Sequence, residues 1–270
     1  MNGKTWRIAH ASAVGAAHLS QNVPCQDRSV CRTVESSKDG EVLIAVIADG
    51  AGSTARGQDG AQTACDFFAS EVEKFLQNGA SVGSLNEDFG KRLVEYFQKK
   101  ITDLAASEGV EMREYASTLV AAVVSETNAA FYQIGDGAVI FASSDENAGY
   151  RFGIKPAESL YVNMTDFLTD EDAAQKIRHN LVEERIEDLI LFSDGIYPVA
   201  VDYQTNQPHV PFLKPMLAPL QNVNLLNGLN EKLEKFLASP KINEKTDDDK
   251  TIILASRRAG QATVRGESSD

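Results

Sequence analysis

The run Val42-Leu43-Ile44-Ala45-Val46-Ile47-Ala48 contains no polar residue and stops on Asp49-Gly50. The same pattern returns downstream, where Leu189-Ile190-Leu191-Phe192 leads into Ser193-Asp194-Gly195. A short continuous apolar run bounded by turn residues predicts a strand buried on both faces, and an aspartate at its end is then held at the rim of a sheet. A third stretch, Thr251-Ile252-Ile253-Leu254-Ala255, is preceded rather than followed by acid, in Asp247-Asp248-Asp249. If these strands lie side by side, their carboxylates converge. Like charges drawn together out of water repel and raise their pKa values unless a hard cation is present. A magnesium or manganese site is the economical explanation.

Between the acidic ends, the apolar spacing predicts the layers that would cover such strands. Over residues 58–77, Ala61, Ala64, Cys65, Phe68, Val72, Phe75 and Leu76 form one helical stripe, with Asp66, Glu71, Glu73 and Lys74 on other faces and Asn78-Gly79 as the stop. Phe89, Leu93, Phe97, Ile101 and Leu104 repeat the stripe in a second helix. The middle of the chain changes period. Residues 117–125, 129–134 and 138–142 are short β-rich runs separated by the turn compositions Glu126-Thr127-Asn128 and Gly135-Asp136-Gly137, an antiparallel meander. Residues 170–180 are expected as a short helix and 224–237 as a longer one, while the proline-bearing stretch 198–219 has no period and is expected as a loop or flap. The tail, 257–270, is polar and small and is expected to be disordered, leaving one domain over residues 1–256. Strands interleaved with paired helices, without strict βαβ alternation, predict an α+β layered domain rather than a doubly wound one.

Composition narrows the function. A hydrophobic content of 43% supports a sizeable core, and a formal charge of -13 argues against nucleic acid, whose phosphates require a basic face. The three cysteines, Cys25, Cys31 and Cys65, cannot all pair and form no CxxC, so a reducing compartment is expected. Residues 1–15 are polar and alternating, and no stretch approaches the roughly 18 apolar residues of a membrane span. The expectation is a cytoplasmic protein that engages no membrane.

Taken singly, Asp-Gly after a strand is a common turn pair, but three acids at strand ends shift the balance toward a site. Gly50 and Gly52 suit a loop whose backbone approaches a ligand and whose carbonyl can itself bind a cation; the alternative for Gly52-Ser53 is a helix entry capped by Ser53. The ordered strings Asn22-Val23-Pro24-Cys25-Gln26-Asp27, Ile47-Ala48-Asp49-Gly50-Ala51-Gly52-Ser53, Ala116-Ser117-Thr118-Leu119, Ile134-Gly135-Asp136-Gly137, Phe192-Ser193-Asp194-Gly195 and Asp248-Asp249-Lys250-Thr251-Ile252-Ile253 together resemble the motif set of the PP2C-type metal-dependent protein serine/threonine phosphatases. The resemblance implies a four-layer α-β-β-α sandwich of two antiparallel sheets flanked by helices, with two Mg²⁺ or Mn²⁺ ions at one end. It further implies hydrolysis of phosphoserine and phosphothreonine by attack of a metal-bridging hydroxide. Position by position, Asp49 would bridge the ions, the Gly50 carbonyl would ligate one, and Asp194 and Asp248 would complete the other site. Asp136 would help hold a third, looser ion, and Asp27 would orient the attacking water. Aligning Thr251 with the family threonine favours Asp248 over Asp249 as the ligand. The partners implied are phosphorylated proteins, with a cognate serine/threonine kinase as a further candidate.

The chemistry of the residues agrees. Oxygen-only ligation suits hard cations, and two ions about 3.5–4 Å apart present hydroxide in line with a phosphoester, with no protein nucleophile required. Cys25 has no phosphate-binding loop after it and reads as a packing residue, and Ser53 lacks a G-x-S-x-G context. The departures from the family lie on the phosphate side. Asn22 stands where an arginine normally holds phosphate, Gln26 replaces an acid or asparagine, and Ala51 replaces a histidine. These features are similar to a bacterial subgroup with a Pro-Cys-Gln-Asp first motif. His18 is a candidate for phosphate binding or for general acid, since histidine titrates near neutrality; a loop histidine bonded to backbone is the structural alternative. Arg56 is a second basic candidate for the phosphate, or an exposed residue at a helix start. The competing functions are a pseudophosphatase that binds a phosphoprotein or regulates a kinase without turnover, and a hydrolase of a non-protein phosphoester.

Overall fold

A computed structural model describes residues 4–145, 147–156 and 165–259. Two five-stranded antiparallel sheets stack face to face. The first has the order β1 (Lys4–Ala13), β12 (Lys250–Ala259), β9 (Ile186–Phe192), β6 (Ala138–Ser143), β7 (Arg151–Phe152). The second runs β2 (Arg28–Ser36), β3 (Gly40–Ala48), β4 (Leu119–Val124), β5 (Ala129–Ile134), β8 (Arg178–Val182).

Side chains alternate across each strand, and here both faces find cover. In β3, Leu43, Ala45 and Ile47 point between the sheets, where they meet Phe131, Phe141, Leu189, Leu191 and Ile253. Val42, Ile44, Val46 and Ala48 point outward onto α2 (Gly57–Gln77) and α3 (Glu87–Glu108), through Ala61, Ala64, Phe68, Leu93 and Phe97. The other sheet repeats the arrangement: Ile190 and Phe192 of β9, with Ile252 and Leu254 of β12, face outward onto α6 (Val210–Leu217) and α7 (Leu229–Leu237). This double burial is why strands of an antiparallel sheet read as unbroken apolar runs instead of alternating ones. The four layers match the expected sandwich.

Shorter elements complete the chain. They are α1 (Ala16–Gln21), α4 (Ala173–Lys176), α5 (Tyr197–Ala200), the β10 (Val201–Asp202) and β11 (Gln207–Pro208) hairpin, and α8 (Pro240–Asn243). No helix among the described residues is long and apolar enough to cross a membrane.

Four local expectations are corrected. The helix expected over 170–180 is confined to α4, and the chain then becomes edge strand β8, bonded to β5 from Gln133↔Arg178 to Ala129↔Val182. The stretch 198–219 is not a loop: Pro198, Pro211 and Pro219 sit in the first turns of α5, of α6 and of a 3₁₀ turn at Ala218–Gln221, where the missing N–H is harmless, while Pro208 ends β11 and Pro215 lies inside α6. The helix expected over 224–237 begins at Leu229. β12 runs on through Arg257 to Ala259, while 260–270 lie outside the described residues.

Arg257 is 1% exposed. Its Nε donates to the Ile186 carbonyl at 3.0 Å and its Nη1 to Glu126 at 3.1 Å, Nη2 donates to the Ser125 carbonyl, and the guanidinium lies 4.4 Å from the Trp6 ring centroid. Truncation would leave buried carbonyls without donors. Arg257→Ala is expected to lower unfolding stability by about 2–3 kcal/mol. Guanidinium titration followed by the fluorescence of Trp6, the single tryptophan, measures it.

Candidate active site

Strand register gathers the acids. Arg28 pairs with Ala48, which sets Asp27 beside Asp49. Phe192 pairs with Ala138 on one side and with Ile252 on the other, which sets Asp194 between the 135–137 turn and the 248–251 segment. All these strand ends open on one rim of the sandwich, and the link between sheets is direct: Ser193 Oγ donates to Asp27 Oδ2 at 2.6 Å. The same hydroxyl accepts the Thr251 N–H at 3.0 Å. Ser193 thus aligns both sheets at the site, a role its place in Phe192-Ser193-Asp194-Gly195 hints at without revealing.

Backbone contacts fix the loop carrying Asp49 and Gly50. The Asp49 N–H donates to Thr118 Oγ1 at 3.0 Å, the Thr118 N–H donates to the Asp49 carbonyl at 2.8 Å, and the Ala51 N–H donates to Ala116 at 2.9 Å. Gly50 bridges Ser117 and lies so close to α2 that an added Cβ would stand 2.2 Å from the Gly57 carbonyl oxygen. Glycine is therefore a steric requirement there. The same holds at Gly195, where an added Cβ would come within 1.9 Å of the Asp249 carbonyl oxygen, and this contact seats the Asp194 turn against Asp248.

The electrostatics follow from this crowding. Asp27 is fully buried, and desolvation pushes its carboxyl up to about 6 against the opposing pull of the Ser193 hydroxyl. Burial, then the charges of Asp136 and Asp248, push Asp194 up to about 7. Burial, with Asp27 and Asp194 nearby, holds Asp49 well above the usual carboxylate range. Asp248, exposed at the rim, is raised by partial desolvation. Asp27 Oδ1 and Asp194 Oδ1 are buried and accept no hydrogen bond. Unpartnered acceptors on crowded carboxylates are what an oxygen-seeking cation satisfies, so the donor set fits divalent hard metals. Among the described residues no group of three or more His, Cys, Asp and Glu side chains is disposed to hold an ion. Magnesium-type sites commonly use one or two carboxylates and keep several waters.

The remaining predicted residues divide clearly. Asp136 is exposed in the β5–β6 turn and accepts the Thr165 hydroxyl at 2.7 Å, a contact absent from the sequence reading. Asp248 and Asp249 are distinguished by their partners. Asp249 is 1% exposed and spends both oxygens on Gly15, Gln26 and His18, whereas Asp248 acts on Asp49 and Asp194. Asn22 caps α1 in the left-handed region, at φ 56°, so its position has a backbone role. The Gln26 side-chain oxygen is buried without a partner. Burial pushes the Cys25 thiol up, which suits a packing residue. Arg56 pairs with Glu108 and Asp59.

The sequence profile described as "Protein phosphatase 2C" matches residues 14–238. The chain is 33% identical over 253 residues to serine/threonine-protein phosphatase 3 of Escherichia coli (strain K12), covering 93% of this chain and 98% of that one. It belongs to the protein phosphatase 2C family. Solved structures share the fold at low identity. One is the catalytic domain of the serine threonine protein phosphatase PstP, solved with two manganese ions (TM-score 0.61, 17% identity, 94% of this chain and 99% of that one). Another is the serine/threonine phosphatase Stp1 from Staphylococcus aureus (TM-score 0.58, 14% identity, 94% and 96%).

Raised carboxyl pKa values have a direct consequence for stability. Between about pH 4, where an unfolded aspartate titrates, and the folded values of about 6 for Asp27 and about 7 for Asp194, the folded chain binds more protons than the unfolded one. Stability from these groups is therefore complete below that window and is lost as pH rises through it. In chelator, the melting temperature is expected to fall from pH 5 to pH 8, and Asp194→Asn is expected to flatten the slope. Scanning calorimetry across that range checks both.

Proposed function

We propose that this chain is a metal-dependent protein serine/threonine phosphatase. The observation that carries the reading is the convergence of Asp27, Asp49, Asp194 and Asp248 at one rim, with buried acceptor oxygens left open. Asp49, the Gly50 carbonyl, Asp194 and Asp248 would hold two Mn²⁺ or Mg²⁺ ions, and Asp136 a third, looser one. When bound, such ions neutralise phosphate charge and lower the pKa of water enough to make it a nucleophile. Asp27, buried and anchored by Ser193, orients the attacking water. His18 and Gln26 border the phosphate side, in keeping with a Pro-Cys-Gln-Asp subgroup that lacks the phosphate arginine. The proposed substrates are phosphoserine and phosphothreonine proteins, the products of a serine/threonine kinase. The three unpaired thiols accord with a cytoplasmic setting.

Manganese-dependent hydrolysis of a phosphothreonine peptide and of p-nitrophenyl phosphate is expected, abolished by chelator and by Asp49→Asn. Asp27→Asn, which removes a charge beside the ions without removing a ligand, is expected to cost about 10–100-fold in kcat/KM. Turnover that persists in chelator would sink the reading; tight phosphopeptide binding with no turnover would replace it with a pseudophosphatase.

A further inference from the structure

We propose that Asp249 is a positioning residue that aims His18 Nε2 at the leaving-group oxygen of the phosphoester, an inference that rests on the phosphatase reading. Asp249 is the best-satisfied carboxylate at the rim. Its Oδ1 accepts the Gly15 N–H at 2.6 Å, and its Oδ2 accepts the Gln26 N–H at 2.6 Å and His18 Nδ1 at 2.9 Å. The acid therefore holds both ends of the segment that carries α1, and with it the imidazole. The His18 side chain is 14% exposed, so the ring is fixed by packing as well as by this bond.

With Nδ1 turned to Asp249, Nε2 points the other way, toward Gly52 in the loop that follows Asp49. A methyl group built on Gly52 would stand 3.4 Å from Nε2 and 3.8 Å from Gln26 Oε1. The space between those two polar atoms is thus bounded by a loop that carries no side chain there, three residues beyond Asp49. The Gln26 oxygen facing it is buried and unpartnered. The imidazole lies close enough to Asp248 to interact with it electrostatically, which places the ring at the edge of the carboxylate group. Ala51 stands in the same loop, so no histidine there competes for the task.

The nitrogen bonded to Asp249 keeps its proton in both charge states of the ring, so Nε2 is the atom that gives and regains one. As the bond from phosphorus to the leaving oxygen breaks, its electron pair stays on that oxygen and Nε2 delivers a proton to it. Water supplies the hydroxyl that forms the new bond to phosphorus and loses its second proton to solvent, and solvent reprotonates Nε2. A serine or threonine alkoxide needs that proton far more than p-nitrophenolate, which is a stable anion on its own.

The test compares kcat for a phosphoserine peptide and for p-nitrophenyl phosphate in wild type, His18→Gln, Asp249→Asn and the double variant, with manganese present. His18→Gln is expected to lower kcat on the peptide by about 10²-fold or more and on p-nitrophenyl phosphate much less. Asp249→Asn is expected to shift the ratio of the two rates in the same direction, and the double variant to be no worse than His18→Gln alone. Equal losses on both substrates, or additive losses in the double variant, would overturn the proposal while leaving the phosphatase reading intact. A wild type without manganese-dependent turnover would instead sink that reading and this one with it. If Asp249→Asn does not fold, the nitrogen-15 spectrum of wild type decides: protonated Nδ1 with bare Nε2 in the neutral ring supports the dyad, and the reverse tautomer refutes it.

Discussion

Burial of the central strands on both faces is the constraint on which the rest depends. Because helices cover the outer face of each sheet, the apolar runs 42–48 of β3, 119–124 of β4, 189–192 of β9 and 252–255 of β12 have no solvated side on which an unpaired charge can stand. Placing an unpaired carboxylate in such a strand would cost several kcal/mol. Acids are therefore pushed to the strand ends, and the antiparallel registers bring those ends to one rim. The site is thus a product of the same packing that stabilises the sandwich. Its geometry comes from hydrogen-bonded register, which tolerates far less drift than a loop would.

The site itself works against that stability. Its carboxylates are crowded, partly desolvated and incompletely hydrogen-bonded, and a chain that already carries a charge of -13 gains nothing from more mutual repulsion. Among the buried polar atoms without a hydrogen-bond partner, Asp27 Oδ1, Asp194 Oδ1 and Gln26 Oε1 belong to the residues of this rim, and a cluster of broken local rules is where function is expected. An ion that binds only the folded form repays the strain through mass action.

What was legible in the sequence follows physical period. Unbroken apolar runs gave β3 and β9, and helical stripes gave α2 and α3, because packing decides those positions. Edge strand β8 was misread as helix because it is only half-buried and has a paired neighbour on one side alone. The prolines of 198–219 looked like breakers since sequence alone does not say which of them begins a helix. Arg257 looked like tail, for nothing local announces that carbonyls from 186 and 125 and the face of Trp6 will enclose it. The candidate ligands were visible as strand ends, but the division of labour between Asp248 and Asp249 was not. It depends on Gly15, which lies 234 residues away along the chain.

The hydrogen bond from Ser193 to Asp27 joins a residue of one sheet to a residue of the other, so the site straddles the interface between them. Its reacting groups are consequently spaced by the thickness of the layer that Phe131, Phe141 and their neighbours fill. A core that swells or slides by a fraction of an ångström would be felt at the rim as a change in the separation of carboxylates, even where no side chain of the site is touched. Evolution of this interior is thereby tied to turnover, and the aromatic stack at its centre serves as a gauge block for the chemistry at its edge.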